Sequence, residues 1–296
     1  MSRRLVAGIV AAAVIACVSI YLVIPHVTSS AHENPPVDSA IPQSVTRETT
    51  YPARRHPYST TTQQGGAADL SREVGSLIPA ARAGDADALM RIADIYQFCW
   101  GYAKNPQSFA QDLQLKGRLR SDLSDNFQSL LNRFSMQCGN FVGQNIGPST
   151  VAMMRQQAAK SGNLEAQVQE LATPLLTGSA PVAALDSLAQ KIISSGDARA
   201  MEAIAPLMGA ISDTGKGASI NYPIGSDLAE AAWRIAACRL GNECGPQSRT
   251  VAQMCIYGGT NCAMRSLEEF YRNEVLPPSD SARLGQLVNQ LAQRKE

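Results

Sequence analysis

From Leu70 onward, apolar residues recur with the three-to-four-residue spacing of helix faces. Leu70, Val74, Leu77, Ile78 and Ala81 fall at i, i+4, i+7, i+8 and i+11, which predicts one helix stripe. Asp85 precedes the next stripe (Leu89, Ile92, Ala93, Tyr96) as a cap, and Asn105-Pro106 puts a cap before a proline at the first helical position. Phe127, Leu130, Leu131 and Phe134 mark a later face. Further helices are predicted near 150–161, 163–176, 181–195, 197–211, 227–240, 248–257, 264–274 and 280–293. Gly162, Gly196 and Gly241 fall where helices should stop. Runs with period 2 and rich in Val, Ile and Thr are absent from the sequence. The pattern predicts an all-α body over 67–296, built from antiparallel helical pairs.

A different pattern opens the chain. Arg3 and Arg4 precede Leu5 to Ile24, a run of 20 residues without a charge. As a helix it spans about 30 Å, the thickness of a bilayer's hydrocarbon core. No Lys or Arg follows until Arg47. Residues 1–24 therefore read as a signal anchor with its N-terminus in the cytoplasm and the body beyond a bacterial inner membrane, in the periplasm. Two cleavage readings compete. Val14-Ile15-Ala16-Cys17 resembles a lipobox, which makes Cys17 a candidate for lipidation, and Ser29-Ser30-Ala31 resembles a signal-peptidase site. The apolar run continues past Cys17 and is longer than a cleaved signal needs, which favours the uncleaved anchor.

Residues 25–66 hold six of the 16 prolines among many Ser and Thr. Such a stretch buries too little apolar surface to offset its ordering entropy, so it reads as a disordered tether with a reach of about 35–40 Å. Charge adds an exclusion. The whole chain carries a net +1; with five basic and three acidic residues in the first 66, the rest carries 21 basic and 22 acidic. A near-neutral body gives no electrostatic reason to bind nucleic acid.

One phrase recurs at the predicted helix junctions. Ala81-Arg82-Ala83-Gly84-Asp85-Ala86-Asp87-Ala88 is echoed by Ala159-Lys160-Ser161-Gly162-Asn163-Leu164-Glu165-Ala166, by Ile193-Ser194-Ser195-Gly196-Asp197-Ala198-Arg199-Ala200, and more loosely by Ala237 to Cys244. Each has a small or apolar helix end, a terminating Gly, and Asp or Asn to cap the next helix. The phrase resembles the Sel-like repeat, a relative of the tetratricopeptide repeat, over four short stretches. The resemblance implies an α-solenoid-like stack whose grooves bind a protein partner.

Beyond Cys17 there are six cysteines: Cys99, Cys138, Cys238, Cys244, Cys255 and Cys262. An even number after an export segment points to disulfides. The spacing C-x5-C-x10-C-x6-C of the last four differs from a zinc site's, so no metal is expected. Cys238–Cys244 and Cys255–Cys262 would each cross a helix junction beside turn glycines, and Cys-rich Sel-like proteins use a similar bridge with a slightly longer interval. Cys99–Cys138 remains by elimination. The crossed pairing, Cys238–Cys255 with Cys244–Cys262, would need cysteines at opposite ends of neighbouring helices to meet.

Catalytic chemistry finds little to work with. His26, His32 and His56 all lie in the tether, and the nucleophile, phosphate-loop and metalloprotease motifs are missing. Asp213-Thr214-Gly215 matches an aspartic-protease triplet by letters, once, in a Gly-rich loop. Glycan cleavage needs only placed carboxylates, for which Glu165, Glu170 and Glu202 are candidates, with Trp100 and Trp233 as sugar-stacking rings. Each has a plain alternative as a solvated helix charge or a core aromatic. The expectation is a membrane-anchored protein-binding or scaffolding module with no cofactor and no catalytic residue; the alternative is a helical cell-wall glycan-cleaving enzyme.

Overall fold

The computed structural model describes residues 69–210, 222–258, 262–263 and 265–293. The expected anchor, the tether, Cys17, the three histidines and Asp213-Thr214-Gly215 lie outside the described residues. Among the described residues every regular element is helical. In chain order these are α1 (Leu70–Arg82), α2 (Ala86–Lys104), α3 (Pro106–Leu119), α4 (Ser124–Cys138), α5 (Pro148–Lys160) and α6 (Leu164–Leu176). There follow α7 (Val182–Ser195), α8 (Ala198–Ala210), α9 (Asp227–Arg239), α10 (Arg249–Gly258), α11 (Leu267–Phe270, continued by a wider turn over Tyr271–Val275) and α12 (Ser281–Ala292). No helix among them is long and apolar enough to cross a membrane.

The helix ends follow from local chemistry. Asp85 Oδ1 accepts the N–H groups of Asp87 and Ala88 at 2.9 and 3.0 Å, and Asn105 Oδ1 accepts that of Ser108 at 2.9 Å. Asn163 and Asp197 cap α6 and α8 in the same way. Each such cap satisfies a backbone donor that would otherwise be orphaned, a contribution of about 1 kcal/mol. The glycines of the recurring phrase, Gly84, Gly162, Gly196 and Gly241, have φ between 65° and 105°, but Asn242 after Gly241 is not the expected cap: its side chain donates to Glu202, and Ser248 Oγ accepts the Val251 N–H at the start of α10. Side chains rarely adopt that conformation, and at Gly84, Gly162 and Gly196 it lets a helix stop and its successor start with two or three residues between them.

Packing then joins helices both near and far in sequence. α1 packs on α2, α3 on α4, α5 on α6 and α8 on α9; the longer-range neighbours are α2 with α5, α6 with α8, and α9 with α12. Small residues let α8 and α9 pack closely: Ala200 and Ala205 of α8 and Ala232 and Ala236 of α9 are all fully buried. A methyl group on Gly209 would meet Glu230 Cβ at 2.9 Å.

The buried side chains form two cores. The first gathers α1 to α5 with Ala166 of α6 and Ala252, Cys255 and Ile256 of α10. The second gathers Val168 and Leu175 of α6, then α7, α8 and α9, Val251 of α10, α11 and α12 around the fully buried Trp233. Thus α6 and α10 each contribute to both, and the seam between the cores runs along them.

Candidate functional site

The cysteines are brought together in three disulfides. Cys99 of α2 is bridged to Cys138, the last residue of α4, with 5.3 Å between Cα atoms; Cys238 to Cys244 at 5.6 Å; and Cys255 to Cys262 at 4.6 Å. These separations lie in the range that a disulfide spans without backbone movement. The first fixes the α3–α4 hairpin to α2 from within the core. The other two close the helix ends of α9 and α10.

The three candidate glutamates are scattered. Glu170 is exposed on α6. Glu202, on α8, receives hydrogen bonds from Asn242 and Thr250 and lies 3.6 Å from Arg234 Nη1. Arg234 Nε donates to Glu230 Oε1 at 2.9 Å, and the same oxygen accepts the Tyr271 hydroxyl at 2.9 Å. Burial works against the charge of Arg234, but Tyr271, Glu230 and Glu202 together outweigh it and hold its pKa above the usual value.

Glu165 sits at the seam between the cores. Its Oε2 is 2.7 Å from Arg199 Nη2, and Arg199 also pairs with Asp94 of α2. Arg155 of α5 reaches Asp94 at 3.8 Å and donates to Gln97. Glu165 Oε2 has a charge contact with Arg199 but no aligned hydrogen bond, and Arg155 Nε and Gln169 Oε1, also buried, have none either. Burial pushes the Glu165 pKa well above the carboxylate range; the Asp94 charge adds to the rise, Arg199 opposes it, and Asp197 adds a smaller part.

Neither tryptophan presents an open ring platform. Trp233 is core, with Nε1 donating to the Pro223 carbonyl at 3.0 Å and its ring edge-on to Tyr222. Trp100 is half-buried and carries Lys104 Nζ 5.2 Å from its ring centre.

Hollows indent the surface of the described residues. One of about 430 Å³ lies between the Tyr222–Leu228 segment and α12, floored by Ile224, Leu228 and Leu287 with Asp280 and Arg283 at its rim. Another of about 290 Å³ lies between α3 and α4, floored by Leu113, Phe127 and Leu131 and rimmed by Gln114, Arg118 and Gln128. On a different face of α3, turned away from the residues that line this hollow, Leu115 and Leu119 are exposed, Leu119 at 74%. Sequence reasoning missed this hairpin surface, although a helix with leucines on two faces (Leu113 against Leu115 and Leu119) was the available signal. Among the described residues no group of three or more His, Cys, Asp or Glu could hold a metal ion.

Comparison with protein-family models, with curated proteins and with solved structures finds no match for the chain.

Proposed function

We propose that the chain is a membrane-anchored, periplasm-facing scaffold that binds a protein partner on its α3–α4 hairpin. The observation that carries this reading is the pair of exposed leucines, Leu115 and Leu119, on one face of a hairpin that also holds a hollow between α3 and α4. An amphipathic segment of a partner could bury its apolar face against Leu115 and Leu119, which stand one helical turn apart. The disulfides support an oxidising compartment. Helical pairs stacked in the manner of the Sel-like repeat are the architecture that goes with this reading. Crosslinking in intact membranes tests it: a Leu115→Glu, Leu119→Glu chain should lose the crosslinked partner while keeping its helical circular dichroism. An undiminished crosslink would refute the docking surface.

A second reading, a glycan-cleaving enzyme, is favoured by one observation, the raised pKa of Glu165, which is the property of a general acid. Against it, Glu165 has only 11% of its side chain exposed and is held by Arg199. Purified protein that cleaved peptidoglycan and lost that activity on Glu165→Gln would establish the enzyme.

A further inference from the structure

We propose that the junction of α2, α5, α6 and α8 is a proton-operated joint, closed when Glu165 is protonated and loosened when it ionises. The position supplies the first argument. The junction lies where the two cores meet, so its four side chains tie Asp94 and Arg155, from helices of the first core, to Arg199, from a helix of the second, through Glu165 on the shared helix α6.

Charge balance supplies the second. Facing Glu165 are Asp94 from α2, Arg155 from α5, and Asp197 and Arg199 from α8. On α6 itself Glu170 is exposed and acts on Arg155. On α7, Asp186 accepts the Tyr222 hydroxyl and Lys191 is exposed. With Glu165 protonated, the two arginines balance Asp94 and Asp197. Ionisation leaves three carboxylates against two guanidiniums in a site that water reaches poorly, where an excess charge is costly.

The hydrogen bonds supply the third. Opening the junction breaks the contacts of Arg199 with Asp94 and Glu165 and of Arg155 with Asp94 and Gln97, but it hydrates Arg155 Nε, Glu165 Oε2 and Gln169 Oε1, which are buried there without a hydrogen-bond partner. Glu165 is thus the group on which the closed state depends. Its pKa is raised in that state, so closure is fully favoured at and below its ordinary value of 4.5 and is lost as pH rises through the raised value. Between 4.5 and the raised value each pH unit lowers the closed-to-open ratio about tenfold, and above the raised value the ratio levels off.

Hydrogen–deuterium exchange of the full chain in detergent micelles, between about pH 5 and about pH 8, tests this after correction for intrinsic exchange. Amides of α6 and α8 should lose protection with rising pH, while Glu165→Gln should hold protection constant. Equal pH profiles in the two proteins, or a loss spread evenly over all helices, would overturn the proposal. Should Glu165→Gln not fold, the wild-type chain still decides: carbon-13 titration of its glutamate carboxyls should show one that protonates well above the rest. All of them titrating together near 4.5 would overturn it.

Discussion

Replacing Arg199 with methionine removes the guanidinium that contacts both Asp94 and Glu165 while keeping much of the side chain's bulk. Breaking a buried ion pair by deleting one partner costs about 3–5 kcal/mol, and an exposed pair is worth about 0–1 kcal/mol. Arg199 lies between these limits, since 33% of its side chain is exposed while Glu165 and Asp94 show 11% and 19%. Discounting the buried value accordingly gives a loss of about 2–3 kcal/mol. In a domain of this size that lowers the midpoint of thermal unfolding by about 4–12 °C. The loss should also depend on pH with a definite sign. Arg199 opposes the rise of the Glu165 pKa, so removing it raises that pKa further. A carboxyl with a raised folded pKa contributes stability at low pH and loses it as pH climbs through that pKa. The deficit of Arg199→Met should therefore be smallest in acid, below the raised Glu165 pKa of the unsubstituted protein, and grow as pH rises through and above that value. Urea unfolding of both proteins at several pH values measures it. A deficit that is independent of pH, or that grows in acid, would refute the argument. Combining Arg199→Met with Glu165→Gln should restore part of the loss, because the uncompensated carboxylate is then gone.

Three other changes should give readable shifts in urea or thermal unfolding. Gly209→Ala should destabilise by about 1–3 kcal/mol, because its methyl would sit 2.9 Å from Glu230 Cβ and push α8 from α9; unchanged stability would mean that the two helices pack less closely. Arg133→Met should leave stability equal or raise it by about 1 kcal/mol, because burial lowers the Arg133 pKa, only the distant Glu243 opposes that, and Nη1 has no hydrogen-bond partner; a loss above 1 kcal/mol would give more weight to its contacts with Gln137 and the Phe98 ring. Replacing Cys99 and Cys138 by alanine should cost more than replacing Cys238 and Cys244, since loop closure credits the two bridges with about 4 and about 2 kcal/mol; the reverse order would show that strain or denatured-state structure decides.

The helices were largely legible because their boundaries are local events. Asp85, Asn105, Asn163 and Asp197 each cap the helix that follows, and the glycines before three of them have the backbone conformation a helix stop needs. The long interval between Gly84 and Gly162 was less transparent. Four helices, α2 to α5, occupy it, and the inner pair, α3 and α4, turns through Arg120 to Leu123 without a glycine. A search keyed to the Gly-Asp phrase passes over such a pair. The neighbours α2 and α5, or α6 and α8, were not legible at all, because periodicity says which face a helix buries and not which helix covers it.

The charged seam shows the same limit, and also a clue that the sequence did contain. Arg199 and Asp94 are 105 residues apart, and Glu202 reaches Thr250 across 48, so no local spacing links them. Charges on helix faces were accordingly read as solvated. Yet α8 is ARAMEAIAPLMGA, in which Arg199 and Glu202 are the only charges among apolar and small residues. Such a helix buries most of its circumference, and the described structure buries Ala200, Met201, Ile204, Ala205, Leu207 and Met208. Two charges one turn apart on such a surface cannot both reach open water, and buried charges persist only when paired. The same reasoning applies to α9, where Glu230 and Arg234 stand among alanines and Trp233 and are paired with each other, Tyr271 and Glu202. Apolar helices carrying a few charges of opposite sign therefore foretell a buried ionic contact, although only the fold names the partner.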